Sequence, residues 1–171
     1  TGGQRSSATP LGATTTTTPA GKSTRKKDIM GIMAAHGVPY VASVSLADPE
    51  DTLRKMQHAL QLEGFRFLHI LAPCPTGWKS EPSEGIELVR LAVRSGLYPV
   101  YEIVDGNEFC INVEPEMSFD ALAKYFESQG RFKGSREDVE AVHREIERNW
   151  HWLRARATGP MTMQETALSR S

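Results

Sequence analysis

Two stretches of this chain combine residue types that could do chemistry, and a third could support them. Residues 1–26 open as Thr1-Gly2-Gly3-Gln4-Arg5-Ser6-Ser7-Ala8-Thr9-Pro10-Leu11-Gly12-Ala13 and run through Thr16-Thr17-Thr18-Pro19-Ala20-Gly21-Lys22. Glycines let a backbone approach a ligand without a Cβ clash. Small hydroxyls and an amide supply neutral hydrogen bonds. Such a segment reads either as a linker or as a backbone-rich loop around a ligand. The second stretch is Leu71-Ala72-Pro73-Cys74-Pro75-Thr76-Gly77-Trp78. Taken alone, Cys74 reads as a buried structural thiol, the common fate of free Cys; a metal ligand is the other reading. Cys110, within Phe109-Cys110-Ile111, reads as core. The third stretch is Tyr125-Phe126-Glu127-Ser128-Gln129-Gly130-Arg131-Phe132, read as aromatic anchors and a Gly turn.

Other chemistries fall away. Gly21-Lys22-Ser23 ends like a phosphate-binding P-loop, but the required earlier Gly is Thr16, and a threonine run stands where a strand belongs. A formal net charge of −1 gives no excess for nucleic acid. The cationic run Lys22 to Lys27 lacks aromatics for base stacking and reads as a solvated loop. No apolar run approaches the roughly 18 residues of a membrane span, so no membrane partner is expected. With 2 cysteines and no apolar leader, a reducing, cytoplasmic compartment is expected. His36 reads as a helix-terminal side chain rather than a general base.

These residues need a scaffold, and the apolar periodicity supplies one. Ile29, Ile32 and Met33 predict a helix over 28–35, closed by Gly37. Residues 38–44 predict a strand. Leu53, Met56 and Leu60 mark the apolar face of a helix opened by Pro49. Residues 65–72 predict a buried strand. A helix over 83–94 follows, with Ser83 as N-cap and Ile86, Val89, Ala92 and Val93 inward. Residues 98–104 and 109–113 predict strands joined by the Asp105-Gly106 turn. Helices over 118–126 and 136–154 complete the pattern, the latter with Val139, Val142, His143, Ile146, Trp150 and Leu153 in register. Alternation of helix and strand predicts an α/β fold with a mainly parallel sheet flanked by helices and a C-terminal helical extension. The expected divisions are a loop over 1–26, a domain over 27–156 and a disordered tail over 157–171.

The three stretches, with Ala35-His36-Gly37-Val38-Pro39-Tyr40-Val41-Ala42 between them, resemble blocks of a known family in the same order from Thr1 to about Leu153. The family is the thiamine-diphosphate-binding beta subunit of pyruvate and other 2-oxoacid:ferredoxin oxidoreductases. The resemblance implies the C-terminal part of a thiamine-diphosphate-binding fold. It makes residues 1–26 a cofactor-covering loop in which Thr1, Gly2, Gly3 and Gln4 bind the cofactor. It makes Cys74 one ligand of a 4Fe–4S cluster.

The family's reaction is thiamine-dependent oxidative decarboxylation of a 2-oxoacid, most often pyruvate. Electrons pass through iron–sulfur clusters to ferredoxin, and the acyl group goes to coenzyme A. The implied partners are the alpha, gamma and delta subunits. The family's Mg2+ ligands and the other cluster cysteines would precede Thr1. The chain is therefore expected to be incomplete alone, to bind thiamine diphosphate weakly or not at all, and to expose a sheet edge or apolar face. A non-catalytic α/β interaction domain, or a relic that kept the scaffold, is the alternative.

Overall fold

An aspartate ahead of each of the first two helices sets where they start. The computed structural model describes residues 3–6, 9–132 and 136–157. Helix α1 spans Ile29–Ala35, and the Asp28 carboxylate accepts from Gly31 N at 3.0 Å. Gly37, at φ +69°, closes it with a bond from Gly37 N to Ala34 O. Helix α2 spans Pro49–Gln61; Asp48 accepts from Asp51 N, and Pro49 starts the first turn. Both caps satisfy amides that a helix start leaves orphaned.

The strands are β1 (Tyr40–Ser45), β2 (Arg66–Leu71), β3 (Val100–Val104) and β4 (Glu108–Val113). They form one 4-stranded sheet in the order β2-β1-β3-β4. β1 and β2 are parallel, with Tyr40 opposite Arg66 and Ser45 opposite Leu71, joined through α2. β3 lies on the other side of β1 and runs antiparallel, with Tyr40 opposite Val104. β4 returns antiparallel to β3 across a turn in which Asp105 and Gly106 both have positive φ. The α/β fold is present, and the sheet is mixed rather than mainly parallel. An apolar run does not encode strand direction. Direction depends on which end of β1 the chain returns to, and Ser43 marks that end. Its hydroxyl donates to Pro99 O at 2.8 Å and accepts from Tyr101 N at 2.9 Å, so β3 enters beside the C-terminal half of β1.

Helices cover both faces of the sheet, as the two-residue period of β1 requires. Tyr40 and Ala42 face α2 through Ala59. Val41 faces the main core, with Met30 and Ala34 of α1. That core also takes α4 (Gly85–Arg94), α5 (Phe119–Glu127) and the long C-terminal helix α6 (Arg136–Arg154). From α6 come Val139, Val142, Ile146, Trp150 and Leu153, all buried at the expected spacing. Trp150 Nε1 donates to Gly96 O at 2.8 Å, and a Cβ on Gly96 would stand 2.7 Å from that nitrogen.

Four local expectations change. Ser83 does not cap α4; it lies in a 3-10 turn over Pro82–Glu84, and Glu84 precedes α4 without a side-chain cap bond. Strand β2 is not buried: Ile70 is exposed, its other residues are half-buried, and its outer edge pairs with no strand among the described residues. The leucine stripe of α2 faces outward, with Leu53 59% and Leu60 78% exposed, while Thr52, Lys55 and Ala59 face the sheet. Similarly Ile86 of α4 is exposed, and Leu88 and Leu91 join Val89 and Ala92 in the core. Thr1, Gly2 and residues 158–171 lie outside the described residues.

Candidate functional site

The loop over residues 9–26 is a built structure. Ala13 is completely buried in the main core. Gly12 N donates to Lys22 O at 2.8 Å, and Lys22 N to Ala13 O at 3.0 Å. Gly21, at φ +87°, is required where the strands of this loop cross, because a Cβ there would meet Gly12 O at 2.8 Å. Lys22 is buried, and its ammonium donates to Thr9 O at 2.6 Å and Ser6 O at 3.1 Å. The cationic run is therefore not a solvated patch throughout: Lys22 ties the loop together, Lys26 is half-buried, and Arg25 and Lys27 face solvent. Charged side chains reach inward here because loop carbonyls need donors.

The three stretches that stood apart in the sequence meet. Thr14 N and Thr14 Oγ1 both donate to Arg131 O, at 2.6 and 2.7 Å. Gly130 N donates to Lys79 O at 3.0 Å, just past the short helix α3 (Pro75–Trp78). The Arg131 guanidinium lies 4.6 Å from the centre of the Trp78 ring and 5.0 Å from that of Phe132. Cys74 stands at the start of α3, where the chain leaves the C-terminal end of β2, with Pro75 in the first turn.

Between these stretches lies a cavity of about 290 Å³. Gln4, Cys74, Trp78, Tyr98 and Arg131 line it, with His69 and Leu71 from β2. It lies beyond the carboxyl end of a parallel strand, where sheets of this kind commonly place ligands. Cys74 is half-buried and lines the cavity. Cys110 is buried in β4, the core position expected for it. Gly3 has nothing within 4 Å of a Cβ position, and Gln4 is exposed at the cavity. The structure thus brings Gln4 and Cys74 to one cavity, with Gly3 adjacent in the chain; Thr1 and Gly2 lie outside the described residues. His36 caps α1, with Nδ1 2.8 Å from Ile32 O.

Two basic side chains, Lys26 and Arg131, line the cavity together with the carboxylate of Glu145. Burial pushes the Lys26 ammonium down to about 8, Asp28 opposing and Lys22 adding. Its Nζ lies 5.1 Å over the Tyr98 ring. Burial, reinforced by Lys26, pushes the His69 imidazole down to about 4, so it is neutral at pH 7. Burial raises the Tyr98 phenol, whose hydroxyl donates to His69 O. Arg131 is 8% exposed and has no ion-pair partner among the described residues. Its Nη2 donates to Tyr125 Oη at 2.9 Å, and its buried Nε has no partner.

A 4Fe–4S cluster takes four thiolates. Among the described residues no three His, Cys, Asp or Glu side chains gather to hold a metal, and Cys74 is the one thiol lining the cavity. The residues present fit one ligand of such a cluster. No helix among the described residues is long and apolar enough to cross a membrane.

No protein-family model matches the chain. Curated proteins do. It is 45% identical over 153 residues to the pyruvate synthase subunit PorB of Methanocaldococcus jannaschii, covering 86% of this chain and 51% of that protein. It is 40% identical over 161 residues to the ketoisovalerate oxidoreductase subunit VorB of Pyrococcus horikoshii, covering 90% and 51%. PorB of Methanothermobacter marburgensis is 44% identical over 146 residues, covering 82% and 50%. The chain belongs to the PorB/VorB beta-subunit family. It spans about half the length of the curated relatives it matches.

Within this family member, sequence reasoning found Gln4 and Cys74 but passed over Lys26, His69, Tyr98 and Arg131 as cavity residues. Periodicity marks His69 and Tyr98 only as strand or strand-edge positions. Arg131 stood within a recognised block, and a Gly-Arg turn carries no mark of what its side chain faces.

Proposed function

We propose that this chain is part of a 2-oxoacid:ferredoxin oxidoreductase that converts a 2-oxoacid, coenzyme A and oxidised ferredoxin to acyl-CoA, CO2, reduced ferredoxin and a proton. The observation that carries the reading is the shared cavity of Gln4 and Cys74, which joins the proposed cofactor loop to the proposed cluster ligand. Relatives named for pyruvate and for ketoisovalerate support 2-oxoacid as the substrate class.

When bound, thiamine diphosphate with Mg2+ supplies carbanion chemistry and a 4Fe–4S cluster supplies one-electron transfer. The chain's own residues hold and shield. Cys74 offers its sulfur from a turn stiffened by Pro73 and Pro75. Gln4, with Thr1, Gly2 and Gly3 ahead of it, contributes neutral hydrogen bonds at the cavity. Leu11, Leu71, Leu97 and Trp78 keep water from its walls. The alpha, gamma and delta subunits, and the part of the beta subunit that the relatives have beyond this match, complete the enzyme.

The test uses the complete complex. Cys74→Ser should lower iron content and remove one cluster's electron paramagnetic resonance signal while the subunits stay assembled. Unchanged iron and spectrum would sink the reading. Cys110→Ser should leave both intact. A panel of 2-oxoacids, pyruvate and branched-chain, assayed on the same complex identifies the substrate.

A further inference from the structure

Arg131 holds a charge where the described residues give it nothing to neutralise. It is more than nine-tenths buried, packed against Trp78 and Phe132, and oriented by one bond to the Tyr125 hydroxyl. No carboxylate reaches it among the described residues, and its Nε is left without an acceptor. Burying an ion that lacks a counter-charge is costly. An unbranched neutral side chain could fill the same slot between the rings without that cost. Aromatic faces compensate a buried cation only in part. The guanidinium lines the cavity that Cys74 lines.

We propose that Arg131 is the positioning cation of this cavity, held to face the negative charge of an anionic group bound through the Cys74 sulfur. This rests on the reading above, under which that group is an iron–sulfur cluster. A thiolate-ligated cluster is anionic in both oxidation states and becomes more so on reduction. A fixed cation beside it favours the reduced form and raises its potential, since net charge and hydrogen bonds to sulfur set that potential. Lys26 is a second basic side chain of the cavity, half-buried where Arg131 is enclosed, and Glu145 lines the same cavity without pairing with Arg131.

The experiment is an electron-paramagnetic-resonance redox titration of the complete complex, with iron content measured beside it. Arg131→Gln and Arg131→Met remove the charge, and the second keeps an unbranched apolar filling. Both should shift the potential of the Cys74-dependent cluster downward, and Arg131→Lys should restore most of it. An assembled neutral variant with wild-type potential overturns the inference. If neither neutral variant assembles, Tyr125→Phe decides: a downward shift supports the proposal, and a wild-type potential overturns it. Cys74→Ser separates the two levels. If it keeps full iron, the functional reading fails; if it loses iron while the Arg131 variants keep their potential, only this inference fails.

Discussion

Both donors of Thr14 converge on the carbonyl of Arg131, at 2.6 Å from its amide and 2.7 Å from its hydroxyl. This pair fastens the N-terminal loop to the Gly130–Arg131 turn, and both residues line the cavity. Thr14→Val keeps the shape and the amide bond but loses the hydroxyl bond. It should destabilise the fold by about 1 kcal/mol in denaturant titration. Amide exchange at Gly12 and Lys22 should quicken with it, and unchanged exchange there would show that the pair does not hold the loop.

A second prediction concerns Glu102, fully buried in β3. It accepts from Tyr40 Oη at 2.6 Å, Arg54 Nη2 at 2.5 Å and Asn112 Nδ2 at 2.7 Å. Glu102→Ala takes the shared acceptor from all three, leaving Arg54 Nη2 only its bond to Asp51 at 2.7 Å. Breaking a buried pair by removing one partner costs about 3 kcal/mol or more; Arg54 is partly exposed, which favours the lower end of that range. Glu102→Gln should cost less, because it keeps an acceptor. Equal unfolding midpoints for the wild type and Glu102→Ala would contradict this role.

The pH dependence on the acid side should carry a contribution from His69. Its folded value is pushed down to about 4, below the ordinary imidazole value, by burial and by Lys26. Between those two values the unfolded chain binds a proton that the folded chain does not. Stability therefore rises with pH across that window and falls on acidification through it. His69→Phe should flatten the melting temperature between pH 4 and 6.5 relative to wild type. Parallel curves for the two proteins would remove His69 as the cause.

The outward leucines of α2 make a fourth prediction. Leu53, Leu60 and nearby Phe65 are exposed, and the outer edge of β2 pairs with no strand among the described residues. Exposed apolar side chains and an open sheet edge favour association. This chain alone should bind an apolar dye and scatter light as it is concentrated. Leu53→Lys with Leu60→Lys should reduce both, with stability changed by only about 0.5 kcal/mol per site. A wild-type chain that stays monomeric at high concentration would count against an uncovered face.

Much of the fold was legible in local patterns. Gly37 closes α1 with a positive φ, and Asp105-Gly106 turns β3 into β4. The α6 stripe was readable because one face of a long helix meets one core. The α2 stripe misled for the opposite reason. Its leucines repeat at helical spacing, but the polar residues Thr52 and Lys55 pack on the sheet, where Lys55 Nζ donates to Ser43 O at 2.8 Å and meets Asp51 at 2.6 Å. Periodicity reports that a face exists, not which partner lies across it.

By itself, the sequence determined the order and kind of most of the elements, the glycine close of α1, and the candidacy of Gln4 and Cys74. Those follow from short-range sterics and hydrogen bonding, and from blocks of residue types that stand in the chain. Only the tertiary structure decided that β3 runs against β1 and that Lys22 is buried in its own loop. It also decided that Arg131 lines the cavity of Cys74 without a counter-charge among the described residues. Each depends on where a distant segment returns: Cys74 and Arg131 are far apart along the chain, and only packing of the Trp78 turn against the Gly130 turn makes them neighbours of one cavity.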